Sequence, residues 1–122
     1  MSGNRFLLDT NILLYLIGKK ISIDALPEGE FFVSFVTELE VLSYPSITPQ
    51  EENQLKRFLH DIPVIDITDE IKERTIALRK KYNLRLPDAI IAATALQVDA
   101  TLVTNDKGFA VVHEVKLKSI AQ

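Results

Sequence analysis

The stretches of this chain with strand character are apolar on consecutive residues, not on alternate ones, and that feature narrows the fold more than any other. Phe6 to Leu8, Phe31 to Val36, Val64 to Ile67 and Thr101 to Thr104 are such runs, with a weaker one over Val111 to Leu117. A strand with one wet face alternates apolar and polar residues, whereas a continuous run suits a strand covered on both faces. Helix-like segments separate the runs, as parallel crossovers require. The expectation is an α/β protein: a three-layer α/β/α sandwich with a central parallel sheet, one domain spanning residues 1–122.

The chain's 122 residues, 47% of them hydrophobic, suffice to bury a core without covalent staples. It has no cysteine, which removes disulfides, thiol catalysis and thiolate metal sites. No basic leader precedes the early apolar run, and that run falls short of the roughly 20 residues needed to cross a bilayer. A soluble, cytoplasmic protein with no membrane partner is expected. The net charge of −3 argues against a protein that holds nucleic acid mainly through a basic surface, but not against an enzyme that acts on it. The one basic patch, RKKYNLR at 79–85, reads first as the last turn of a helix with cations near the dipole's negative end.

Helix signals are local and specific. Thr48, Pro49 and Glu51 match a cap, a first helical proline and a capping box, and Leu55, Phe58, Leu59 and Ile62 follow at helical spacing. A second helix is expected from Thr68 to about Tyr82, carrying Ile71, Ile76 and Leu78. Pro87 opens a third, PDAIIAATALQV, whose alanines suit tight packing against a sheet. Ile12 to Ile17 is apolar in all directions, which either core burial or a partner-binding surface would explain.

In an open parallel sheet, ligands bind beyond the carboxyl ends of the strands. Asp9 directly follows the first strand, in RFLLDTNILLYLIG; Glu40 lies after the second, expected in the first turn of the following helix. Asp88 starts the alanine-rich helix, and Asp106 follows TLVT. Each has an ordinary structural role open to it: Asp9 as a helix cap, Glu40 closing a capping box with Thr37, Asp88 complementing a helix dipole, Asp106 in a turn. Together, four separate segments bring a carboxylate to one sheet edge, which turns do not require. Such groups repel unless a cation neutralises them, and oxygen donors of this kind suit Mg²⁺ or Mn²⁺ better than zinc. Asn11 and Thr104 are candidates to orient carboxylates or water, with cap and turn bonding as the other reading. His60 and His113 lie at no expected strand exit, so a histidine base is not expected.

These residues resemble the PIN-domain nucleases, particularly the small VapC-type toxins of prokaryotic toxin–antitoxin pairs. LLDTNILLYL resembles the family's first motif, SFVTELEVL the second, LPDAIIAATAL the third and LVTNDKGF the fourth. They carry Asp9, Glu40, Asp88 and Asp106 in that order, with Phe109 following the last. The glycine often found after the second motif is replaced around LSYP. The resemblance implies a central parallel sheet, four acids holding Mg²⁺ or Mn²⁺ as the catalytic site, endonucleolytic cleavage of RNA, a cognate antitoxin and a homodimer. An RNA-processing nuclease outside a toxin pair, or a catalytically silent PIN-like module, would share these motifs. A phosphorelay receiver shares the size and the Mg²⁺-binding acids, but needs neighbouring acids after strand one, where this chain has Asp9 followed by Thr10. A haloacid-dehalogenase-like phosphatase would need an aspartate where Asn11 stands.

Overall fold

A computed structural model describes residues 4–121. Five strands form one sheet, β1 (Arg5–Leu8), β2 (Glu30–Ser34), β3 (Val64–Ile65), β4 (Thr101–Val103) and β5 (Leu117–Lys118), in the order β3-β2-β1-β4-β5. Every pairing is parallel, with Leu7 opposite Phe32 on one side and Leu102 on the other. The helices are α1 (Thr10–Ile17), α2 (Phe35–Leu42), α3 (Pro49–Asp61), α4 (Asp69–Tyr82) and α5 (Leu86–Gln97).

The period of two along each strand divides the core. Phe6, Leu8, Val33 and Val103 pack with Ile12 and Leu13 of α1, Val41 of α2 and Leu55 and Leu59 of α3. Leu7, Phe32 and Leu102 pack on the opposite face with Ile71 and Leu78 of α4 and Ile91, Ala92 and Ala95 of α5. Both faces are covered, which is why the strands are apolar throughout. The alanines of α5 let it lie close to both the sheet and α4.

Several local expectations hold. Thr48 and Glu51 form the reciprocal capping box at the start of α3, with Pro49 in the first helical position. Thr68 caps α4 through the Ile71 N–H, and Asn83 ends that helix in the left-handed conformation.

Others are corrected. The second strand ends at Ser34, not Val36, because the Ser34 hydroxyl accepts the Val36 N–H and starts α2 there. Glu40 therefore lies in the second turn of α2, and Thr37 is an interior helical residue, not the cap of a box with Glu40. The third strand stops at Ile65, where Asp66 turns back onto the Ile67 N–H. Ile76 is 56% exposed; the buried face of α4 runs Ile71, Thr75, Leu78, with the Thr75 hydroxyl satisfied by the Ile71 carbonyl. The run over Val111 to Leu117 is not a strand of that length. A 3₁₀ turn occupies Lys107–Val111, Val112 and Val115 reach the core from irregular chain, and only Leu117–Lys118 pairs with β4.

Candidate active site

The strand order fixes where a site can form. From β1 the chain winds outward through β2 to β3, then returns to β4 on the other side of β1, so the order reverses between β1 and β4. At such a reversal the connections pass to opposite faces of the sheet, and here α1 packs on one face while the segment after β4 sends Phe109 to the other. Asp9 follows β1 there and Asp106 follows β4.

Asp9 is 5% exposed, and its N–H continues the ladder by donating to the Val103 carbonyl at 3.0 Å. One carboxylate oxygen accepts the Thr10 N–H at 2.8 Å and the other accepts the Thr104 hydroxyl at 2.6 Å. It does cap α1, as the plain reading of a strand–helix junction has it, but a cap needs only one of those oxygens. Burial pushes the Asp9 carboxyl above its ordinary value; the Thr104 and Thr10 hydrogen bonds oppose this, and the negative charges of Asp88 and Asp106 add to it. Those two acids are thus close enough to act on Asp9.

Thr104, buried, couples two of the acids: it donates to Asp9 and accepts the Asp106 N–H at 3.0 Å. Asp106 caps the 3₁₀ turn, one oxygen accepting the Gly108 N–H at 2.8 Å. Glu40 reaches the group from α2. Its carboxylate accepts the Thr10 hydroxyl at 2.6 Å, and because Thr10 has one proton to give, Thr37 is the donor in the 3.1 Å contact between the two hydroxyls. Asp88, in the first turn of α5, pairs with Arg85, whose Nε lies 3.0 Å and Nη2 3.4 Å from its two oxygens. The charges of Asp106 and Glu40 also act on Arg85.

The four acids therefore share one edge and one electrostatic neighbourhood. Among the described residues, no three acidic or histidine side chains are close enough to hold one ion in common. The donor chemistry suits a hard divalent cation in that the acids offer oxygen alone.

The two neighbouring residues differ in their contacts. The Thr104 hydroxyl donates to Asp9. Asn11 is exposed and lines a separate depression with Leu14, Tyr15, Tyr44 and Ile47. Thr10, one position earlier, is the residue that bonds Glu40, and Asn105 exchanges two 2.8 Å hydrogen bonds with the Ile120 backbone, tying the C-terminal segment beside β4. Asparagine is so common in turns that its position gave no signal. His113 lies edge-on to the Tyr82 ring and His60 is exposed on α3, away from the acids' hydrogen-bond partners.

A family model described as the PIN domain matches residues 6–115. Among solved structures, a chain of a toxin–antitoxin complex from Klebsiella pneumoniae is 35% identical, covering 89% of this chain and 93% of that one at a TM-score of 0.74. Chains of VapBC2 from Rickettsia felis bound to a promoter DNA fragment (23% identity, 96% and 99% covered, TM-score 0.81) and of DNA-bound VapBC from Salmonella typhimurium (19%, 94% and 97%, 0.81) share the fold. No curated protein matched.

Proposed function

The chain belongs to the PIN-domain family, and from that premise we propose that it is a VapC-like toxin: a metal-dependent endoribonuclease partnered by a cognate antitoxin. The family consists generally of nucleases, and membership displaces the receiver-like reading. The observation that carries the proposal is Asp9, a buried carboxylate at the sheet's switch point, under the influence of Asp88 and Asp106 and tied by Thr104 to the segment carrying Asp106.

Asp9, Glu40, Asp88 and Asp106 would hold Mg²⁺ or Mn²⁺, directly or through water. When bound, such an ion lowers the pKa of water and offsets the charge of a phosphodiester. The protein's part is to keep the ligands ionised and aimed. Thr104 and the Thr10 N–H favour the charged form of Asp9 against its burial, and the Thr37–Thr10 relay fixes one oxygen of Glu40. The Gly108 N–H leaves the second oxygen of Asp106 available.

The 35%-identical chain comes from a toxin–antitoxin complex, which supports an antitoxin partner here. The apolar surplus of α1, with Leu14, Tyr15, Leu16 and Ile17 only partly buried, supports a second protein surface, either a homodimer seam or the antitoxin's seat. Among the described residues no helix is long and apolar enough to cross a membrane.

The decisive experiment is cleavage of a single-stranded RNA by purified protein with Mn²⁺, beside Asp9→Asn. The wild type should cut and the variant should not, although circular dichroism shows both folded. Equal rates would overturn the assignment. Growth arrest on expression, relieved by Asp9→Asn and by the product of a neighbouring short reading frame, would separate a toxin from an RNA-processing enzyme.

A further inference from the structure

We infer that Arg85 is the acidic pocket's own counterion, a side chain that a divalent ion must displace and that therefore sets how tightly the pocket takes metal. The inference rests on the metal-dependent reading above.

Arg85 is in the wrong place for a merely structural cation. It occupies the N-cap position of α5, where serine, threonine, aspartate or asparagine would satisfy a free N–H, and it makes no side-chain cap hydrogen bond. That end of a helix carries partial positive charge, so a guanidinium there is unfavourable for the helix itself. Its compensation comes from the acids: a two-point contact with Asp88, and the fields of Asp106 and Glu40 behind it. The guanidinium contacts the carboxylate delivered by α5, and the charges at the exit of β4 and on α2 act on it more weakly.

The arrangement is also easily undone. The Arg85 side chain is 77% exposed whereas that of Asp88 is 21% exposed, so the cation lies on the solvent side of the carboxylate it covers. An ion pair that wet contributes little to stability. The other partners of the acids are hydroxyls and backbone N–H groups fixed by strand ends and helix starts. Among the described side chains that bond the acids, Arg85 is the most exposed, and a divalent ion entering beside Asp88 would repel it.

The test is titration calorimetry with Mn²⁺ on wild type, Arg85→Gln, Arg85→Lys and Lys80→Gln, with Asp9→Asn as the disabled site. Arg85→Gln should bind Mn²⁺ about three- to tenfold more tightly than wild type at low salt, the difference shrinking as salt rises. Arg85→Lys keeps the charge and should stay within about twofold of wild type. Lys80→Gln, which changes net charge equally from an exposed position on α4, should do the same. In a separate NMR titration with diamagnetic Mg²⁺, the Arg85 Nε–H resonance should shift in the wild type and stay fixed in Asp9→Asn. Equal or weaker Mn²⁺ binding by Arg85→Gln would overturn the counterion role, as would an unmoved Nε–H resonance at saturating Mg²⁺. If neither wild type nor Arg85→Gln binds Mn²⁺, the metal-dependent reading falls and this inference with it, a result distinct from equal binding by both.

Discussion

Replacing Thr104 by valine keeps the shape of a side chain that is 4% exposed and removes one oxygen. That oxygen donates to Asp9 at 2.6 Å and accepts the Asp106 N–H at 3.0 Å. The first is a charge-assisted bond to a buried carboxylate, worth about 1.5–3 kcal/mol; the second leaves a partly buried N–H that water can still reach, adding about 0.5 kcal/mol. A loss of about 2–3.5 kcal/mol in the metal-free protein follows, a fall in Tm of roughly 8–14 °C for a domain of this size. The loss should depend on pH, with a defined sign. Burial, reinforced by Asp88 and Asp106, raises the folded-state value of Asp9 above the ordinary 3.8, so between those values the folded chain binds more protons than the unfolded one. Stability contributed by this group therefore falls as pH rises through that window, and the penalty is complete above it. Valine removes a group that favours the ionised form and raises the folded value further. Urea unfolding in chelator should show the largest deficit near pH 8 and a smaller one near pH 4, while Thr104→Ser should recover most of it. A deficit under about 0.5 kcal/mol near pH 8, or one equally large near pH 4, would refute the idea that Thr104 serves the Asp9 charge.

Asp9→Asn should flatten the same pH–stability profile in chelator and abolish any rise in Tm on adding Mn²⁺, which differential scanning fluorimetry would show. Glu114, bonded to the Tyr82 hydroxyl and to Lys81, has its carboxyl held down to about 2. Its folded value is depressed, so its contribution is present above 4.5 and lost as pH falls toward 2; carbon-detected NMR should find the low titration, and Tyr82→Phe should move it upward. Gly29 precedes β2 at φ +155°, and a Cβ there would lie 2.2 Å from the Asn4 carbonyl oxygen. Gly29→Ala should cost about 2 kcal/mol or more in urea unfolding, because backbone and not a flexible side chain must yield.

The sheet and the capping box were legible because their signals are local or depend only on burial of both faces. Asp9 and Asp106 were legible because the end of a strand is easy to find and the crevice lies beyond it. Glu40 and Asn11 show where that legibility stops. Starting α2 at Ser34 instead of Thr37 moves Glu40 from the first turn to the second, and each residue of shift turns a side chain about 100° around the axis. The same arithmetic separates Thr10, which reaches Glu40, from Asn11, which faces the depression beside Tyr44. Thr75 replacing Ile76 on the buried face of α4 is the same problem: a threonine whose hydroxyl bonds the preceding turn can be buried, and composition alone favours the isoleucine. Arg85 reads only as part of a basic stretch, although its partner Asp88 lies three residues on, because a stretch of cations at a helix end already has an ordinary explanation.

The site's compensation is unevenly distributed, and that asymmetry links its stability to its proposed chemistry. Asp9 is relieved by a buried hydroxyl and a helical N–H, Glu40 by Thr10, Asp106 by the Gly108 N–H, and only Asp88 by a full opposite charge. The partners of the first three acids are fixed by the strand ends and helix starts that define the fold, so they would remain if an ion entered as proposed. The fourth is a long, wet side chain that a fold does not need. On the proposed reading, the arginine would limit repulsion in the pocket before an ion enters, at a place where a wet side chain can move aside. Arg85 stands at a helix start that disfavours a cation, paired there with Asp88, and the helix is held by Ala92, Ala95 and Ile91 against the sheet.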